Sequence, residues 1–191
     1  ANANITGQPS IVISTSGTKI LTAPIVINDL TIQPNTNLDV GNGNNHQITV
    51  NGNWTNNGGN LYERDGTIIF NSENTTTKTI DANGEIFRNL IFQGSAIRTY
   101  TVLSDLLVYG NAAGDALSIS SATLDLNGHI LTLGNDDPGD PNAEIFIIGN
   151  NGTLEVDADA SLQFSCNDDG GDVAQTEIGG NLVVQSGGRL S

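Results

Sequence analysis

Leu124-Asp125-Leu126-Asn127-Gly128-His129-Ile130-Leu131-Thr132-Leu133 contains two three-residue units, apolar–any–apolar, separated by an Asn-Gly turn signal. On a strand, successive side chains point to opposite faces, so each unit sends its outer residues inward and its middle residue out. The same unit recurs on both sides at intervals of about seven to ten residues, each time followed by Gly or Asn. Examples are Leu30-Thr31-Ile32, Leu38-Asp39-Val40, Ile48-Thr49-Val50, Leu90-Ile91-Phe92, Leu117-Ser118-Ile119, Leu154-Glu155-Val156 and Leu162-Gln163-Phe164. Short strands repeated without helical segments between them predict a coiled all-β solenoid. With three units per turn, a coil takes about 22 to 30 residues and about six or seven coils follow, each advancing by the strand spacing of about 4.8 Å.

Composition agrees with many tight turns around a narrow core. The 191 residues include 25 Asn and 23 Gly against five Pro, one Trp and no Met. A hydrophobic fraction of 37% is low for a globule, but a solenoid buries each coil against its neighbours and needs only an inner column. Residues 1–28 read as an irregular first coil or cap, and 29–191 as one continuous run of repeats. The opening Ala1-Asn2-Ala3-Asn4 and the strand pattern around Leu190 lead to the expectation of a processed chain or a piece of a longer one.

The formal charge of −15 is unevenly placed. Tyr100 to Glu177 holds fourteen acidic residues and no Lys or Arg, whereas residues 1–98 carry seven acids and five bases. This excludes a nucleic-acid partner, which needs clustered cations. With no run of 18 apolar residues, membrane insertion is not expected either. Two acidic stretches are long enough to leave the coils as surface loops: 135–144, with Asp136, Asp137 and Asp140, and 167–172, with Asp168, Asp169 and Asp172. Hard cations take oxygen ligands from such Gly-containing loops, so these six Asp are the calcium candidates; solvated turns are the plainer reading, and no cofactor is required.

The remaining chemistry-bearing residues point away from catalysis. Cys166 stands alone and shares the parity of Leu162 and Phe164, so it reads as a buried small hydrophobe. His46 and His129 follow similar Gly/Asn-containing stretches and are expected at one repeat position, packing turns. Asp39, Asp125 and Glu155 occupy middle positions and are expected to face water. Middle positions Thr31, Thr49 and Thr132 suggest a threonine face, but Asp, Glu, Ile and Gln replace Thr in other units. Ile69, Ile91, Leu107 and Val183 are apolar at outward positions, a hint of a lateral partner. Trp54, Tyr62, Tyr100 and Tyr109 are the aromatics available to a glycan platform.

Gly52-Asn53-Trp54-Thr55-Asn56-Asn57-Gly58, Gly66-Thr67-Ile68-Ile69-Phe70-Asn71, Lys78-Thr79-Ile80 and Phe87-Arg88-Asn89-Leu90-Ile91-Phe92 resemble, together with the opening stretch, the repeats of large secreted surface proteins of Bacteroidetes-type bacteria. The resemblance covers about residues 29–134. It implies a right-handed parallel β-helix exported to the cell surface, acting in adhesion or as a stalk, and it brings no catalytic residues. The acidic stretches after Leu133 depart from the short turns of those repeats. The expected function is therefore a non-enzymatic extracellular β-solenoid, a stalk of a surface adhesin or a filament subunit assembling head to tail. Its partners would be further copies, neighbouring repeats of the same protein, or surface glycans. Two alternatives follow from the same architecture: a polysaccharide-active lyase or hydrolase, and a carbohydrate-binding module. Against the former, this chain has Gly128-His129-Ile130 where the resembling hydrolases have Gly-His-Gly.

Overall fold

Most apolar–any–apolar units fold as the alternation requires, although the middle residues Asp39 and Thr49 are buried as well. A computed structural model describes residues 8–71, 73, 76–94, 98–110, 116–135, 145–165 and 175–190. Among them every regular element is a β-strand, none longer than the six residues of Ile130–Asn135, and there is no helix. All strand pairs are parallel, and strands pair with the third strand before and after them in the sequence. Parallel partners of this kind are separated by 19 residues (Ile11 to Leu30) to 31 (Leu131 to Leu162). The arrangement is that of a parallel β-solenoid with three strand-bearing faces.

The first face is one eight-stranded sheet running from Ile11–Ile13 through Leu30–Ile32, Trp54–Asn56, Lys78–Asp81, Thr99–Val102, Thr123–Asp125 and Thr153–Val156 to Asn181–Val184. The third face is one seven-stranded sheet, Ile25–Ile27, Ile48–Val50, Thr67–Phe70, Asn89–Phe92, Leu117–Ile119, Ile145–Ile148 and Gln175–Ile178. The second face is divided. Gly17–Ile20, Thr36–Asp39 and Asn60–Tyr62 form a three-stranded sheet, and Ile86–Phe87, Leu106–Gly110, Ile130–Asn135, Ser161–Ser165 and Arg189–Leu190 form a five-stranded one. Between Tyr62 and Ile86 the ladder is interrupted.

Inward positions stack in register. On the third face Ile48, Ile68, Leu90 and Leu117 form one fully buried column, and Val50, Phe70, Phe92 and Ile119 another. Each such side chain contributes roughly 1.5–3 kcal/mol through removal from water. Aromatic rings fill the middle of the core: Phe70 and Phe92, register partners, stack at 5.2 Å between centroids and 8° between planes. Tyr100 packs on both, and Trp54 meets Phe87 edge-on at 5.3 Å.

Asn-Gly pairs turn the corners where two consecutive residues need φ above zero: Asn83-Gly84 (52° and 79°) and Asn127-Gly128 (49° and 81°). Short side chains replace missing ladder bonds. Asn56, 2% exposed, accepts the N–H groups of Gly58 and Gly59 at 2.9 Å and donates to the Gly59 carbonyl at 3.1 Å. The Ser104 hydroxyl accepts both Ala82 and Asn83 N–H at 2.8 Å.

Several sequence expectations change here. His46 precedes a third-face strand and His129 a second-face strand, so they do not share a repeat position. The reason is that Asn/Gly turns occur at more than one corner, and a local likeness between turns does not fix the phase of the coil. Asp125 and Glu155 are register neighbours on the first face, whereas Asp39 lies on the second and is 5% exposed. Thr31, Thr49 and Thr132 fall on three different faces and make no common surface. Trp54 and Tyr100 are fully buried and offer no platform. Phe164 shares the parity of buried Leu162 but is 40% exposed, because Arg189–Leu190 covers only Ser161 and Leu162.

Candidate functional site

Titratable side chains converge where the second face is interrupted. Strand Thr36–Asp39 delivers Asp39 to a corner, where its Oδ1 accepts the Gly41 N–H at 2.8 Å, an Asx turn. Two residues after strand Asn60–Tyr62, Arg64 adopts φ 51° and reaches back across the ladder. Its Nε donates to Asp39 Oδ1 at 3.3 Å and its Nη2 to Oδ2 at 2.9 Å, a bidentate pair. The guanidinium also lies 5.6 Å from the centre of the Tyr62 ring. Hydrogen bonds from Arg64 hold the Asp39 carboxyl below the usual range, against the opposing effect of burial, with help from the Gly41 N–H and the Arg64 charge.

On the other side of the interruption, Arg88 Nε stands 3.6 Å from Glu63 Oε1, both side chains 19% exposed. Glu85 stands just before strand Ile86–Phe87, on the far side of the gap. Burial raises its pKa above the ordinary value and the neighbouring Glu63 charge adds to this, while the Leu61 N–H and the Asn56 amide oppose it.

Two carboxylates whose environments differ, Glu63 beside an arginine and Glu85 raised by burial, are the kind of pair that serves acid–base chemistry. Here Asp39 is committed to Arg64 and Gly41 within the three-stranded sheet, and Glu63 pairs with Arg88 across the interruption. The Asp39–Arg64 pair links adjoining coils of the three-stranded sheet, and the Glu63–Arg88 pair spans the interruption to the five-stranded one. Sequence reasoning missed them because the partners are 25 residues apart in each ion pair and meet only once the coil length is known.

The other nominated residues are scattered. His129 Nδ1 lies 3.5 Å from Asp105 Oδ1, which also accepts the Ile130 N–H at 3.0 Å, so this pair orients the turn into a second-face strand. Asp125 Oδ1 accepts the Asn127 N–H at 3.0 Å, and Glu155 accepts a hydrogen bond from the Gln185 amide. Ile69 and Ile91 are register neighbours on the outer side of the third face, but Leu107 is on the second and Val183 on the first. Tyr62 is 40% exposed, away from Tyr109 on strand Leu106–Gly110. Asp136, Asp137, Asp140, Asp168, Asp169, Asp172 and Cys166 lie outside the described residues. Among the described residues no three His, Cys, Asp or Glu side chains are grouped as metal ligands, and no helix is long and apolar enough to cross a membrane.

No family model, curated protein or solved structure matches the chain. The fold and these ion pairs are therefore read from the chain itself.

Removing the charge of Asp39 gives a first prediction. The folded pKa of Asp39 lies below its ordinary value of 3.8. The ion pair thus adds stability that is present above the ordinary value and is lost as pH falls through the folded one. Asp39→Asn should lower the melting temperature by a few degrees at pH 7, and the gap from wild type should close in acid. Melting curves between pH 7 and pH 2 check it; a gap unchanged by pH would mean that the charge of Asp39 is not what stabilises this contact between coils.

Proposed function

We propose that the chain is a right-handed β-solenoid that serves as a non-enzymatic, extracellular structural or adhesive rod. It would act as a stalk of a surface adhesin or a subunit assembling head to tail. The observation that carries this reading is the state of the two outermost rungs. At one, Leu182, Val184 and Leu190 occupy inward register positions, and Val184 and Leu190 are 43% and 53% exposed. At the other, Ile11, Ile13 and Ile25 are only partly buried against the core. Strand edges with apolar inward residues are stabilised by another coil, whether it belongs to neighbouring repeats of the same protein or to another copy. The commitment of the clustered carboxylates to internal bonds supports a structural role over polysaccharide cleavage. The acidic stretches 135–144 and 167–172 would be the places for calcium, and surface glycans remain within the proposed set of partners.

Electron microscopy of the purified chain, with and without a calcium chelator, tests this. Long regular fibres are the result expected of a subunit, and their loss on chelation would implicate the acidic stretches. Isolated short rods in both conditions would leave the stalk reading. Globular particles, or turnover of an acidic polysaccharide, would overturn the proposal.

A further inference from the structure

Arg98 precedes strand Thr99–Val102 on the inward parity of Tyr100 and Val102. Its carbonyl accepts the Thr123 N–H at 2.7 Å, which holds it at the corner between the third and first faces. The residue is 2% exposed, and its Nε, Nη1 and Nη2 are buried with no hydrogen-bond partner among the described residues. The described parts of the adjoining turns are 71, 73, 76–77, 93–94 and 120–123; the one acidic residue among them, Glu73, is exposed and makes no hydrogen bond to Arg98. Along the same corner the next two positions are Ala122, fully buried, and Gly152. The acceptors at these positions are the main-chain carbonyls, which take the N–H groups of Thr153 at 2.8 Å and Asn181 at 3.0 Å and accept no hydrogen bond from the Arg98 guanidinium.

A guanidinium does not give up its proton in a protein, so burial cannot be relieved by neutralisation as it could for Lys or His. A buried charge is retained when another charge and hydrogen bonds compensate it. The planar fork of donors fits a tetrahedral oxyanion by paired N–H···O bonds. We propose that Arg98 marks an enclosed site for a small inorganic oxyanion, phosphate or sulfate, taken up as the coils close over it. The chain's charge of −15 repels anions from its surface, so occupancy depends on the buried cation and not on general attraction.

The test compares wild type with Arg98→Met, a neutral side chain of similar length. Both are refolded in potassium chloride and in potassium phosphate at equal ionic strength and pH, and their melting midpoints are followed by circular dichroism. For wild type the midpoint should climb with the logarithm of phosphate concentration. Arg98→Met should melt higher than wild type in chloride and show no such climb. Phosphate also stabilises proteins without binding a site, so an equal climb in both proteins would overturn the proposal. So would loss of stability in Arg98→Met without any phosphate response in wild type, which would identify a carboxylate of the chain as the partner. Should the variant fail to fold, a direct assay on wild type decides. Protein refolded in phosphate, desalted and then unfolded should release about one phosphate per chain, and release of none would overturn the site.

Discussion

Phe92→Ala should lower stability by about 3–5 kcal/mol, the range for removing a large aromatic side chain from a packed core. Phe92 is fully buried, is stacked on Phe70 at 5.2 Å, and touches Tyr100 at the same centroid separation. Deleting it therefore leaves a void bounded by the third and first faces at the middle of the solenoid, where neither neighbouring coil can move in without breaking its own ladder. In a stack whose units contact only their neighbours, the position of a lesion along the axis matters. Leu182→Ala, in the partly covered outermost rung, should cost well under half as much. Urea denaturation of both variants checks the pair. Equal losses would mean that coils at the edge and the centre are coupled to the same extent, and a loss below about 1 kcal/mol for Phe92→Ala would mean that the core refills the space.

Gly152→Ala should be nearly as damaging for the opposite reason. A Cβ at Gly152 would overlap the Ile119 carbonyl oxygen and stand 2.9 Å from the Ile119 carbonyl carbon and 3.0 Å from the Gly149 oxygen. All three are main-chain atoms held by hydrogen bonds, Gly149 N–H to Ile119 at 2.8 Å and Gly152 N–H to Gly149 at 2.9 Å. No side chain can swing aside, so the rung must shift, at a cost of about 3 kcal/mol or more. Gly128→Ala is the informative contrast. There the nearest atom to an added Cβ is the Ala158 oxygen at 3.9 Å and the obstacle is φ of 81° alone, worth about 1 kcal/mol. Thermal melts that ranked the two variants the other way would refute the close approach at Gly152.

The units that decide the fold were legible because strand alternation is local: Leu124, Leu131 and Leu162 fall inward, as their parity requires. Phase was not legible. His46 and His129 looked equivalent because both follow Gly/Asn turns, yet the turns belong to different corners. Asp39 shows the same limit. As the middle residue of an apolar–any–apolar unit it should face water, and nothing within its own unit signals that Arg64 will cover it one coil later. The interruption between Tyr62 and Ile86 is likewise invisible in sequence, since Asn60-Leu61-Tyr62 and Ile86-Phe87 each look like ordinary strand patterns. Side chains that bridge coils are encoded at separations of about one turn, and those separations vary from 19 to 31 residues along this chain.

That interruption gives the solenoid unequal mechanical faces. Main-chain hydrogen bonds run through the first and third faces past the level of Tyr62, whereas the second is spanned there by the Glu63–Arg88 ion pair. A transverse load bends such a body most easily by opening the second face at this seam, with the two continuous sheets acting as the spine. Bending stiffness therefore depends on direction around the axis, and the compliant direction is set by where the second face is divided.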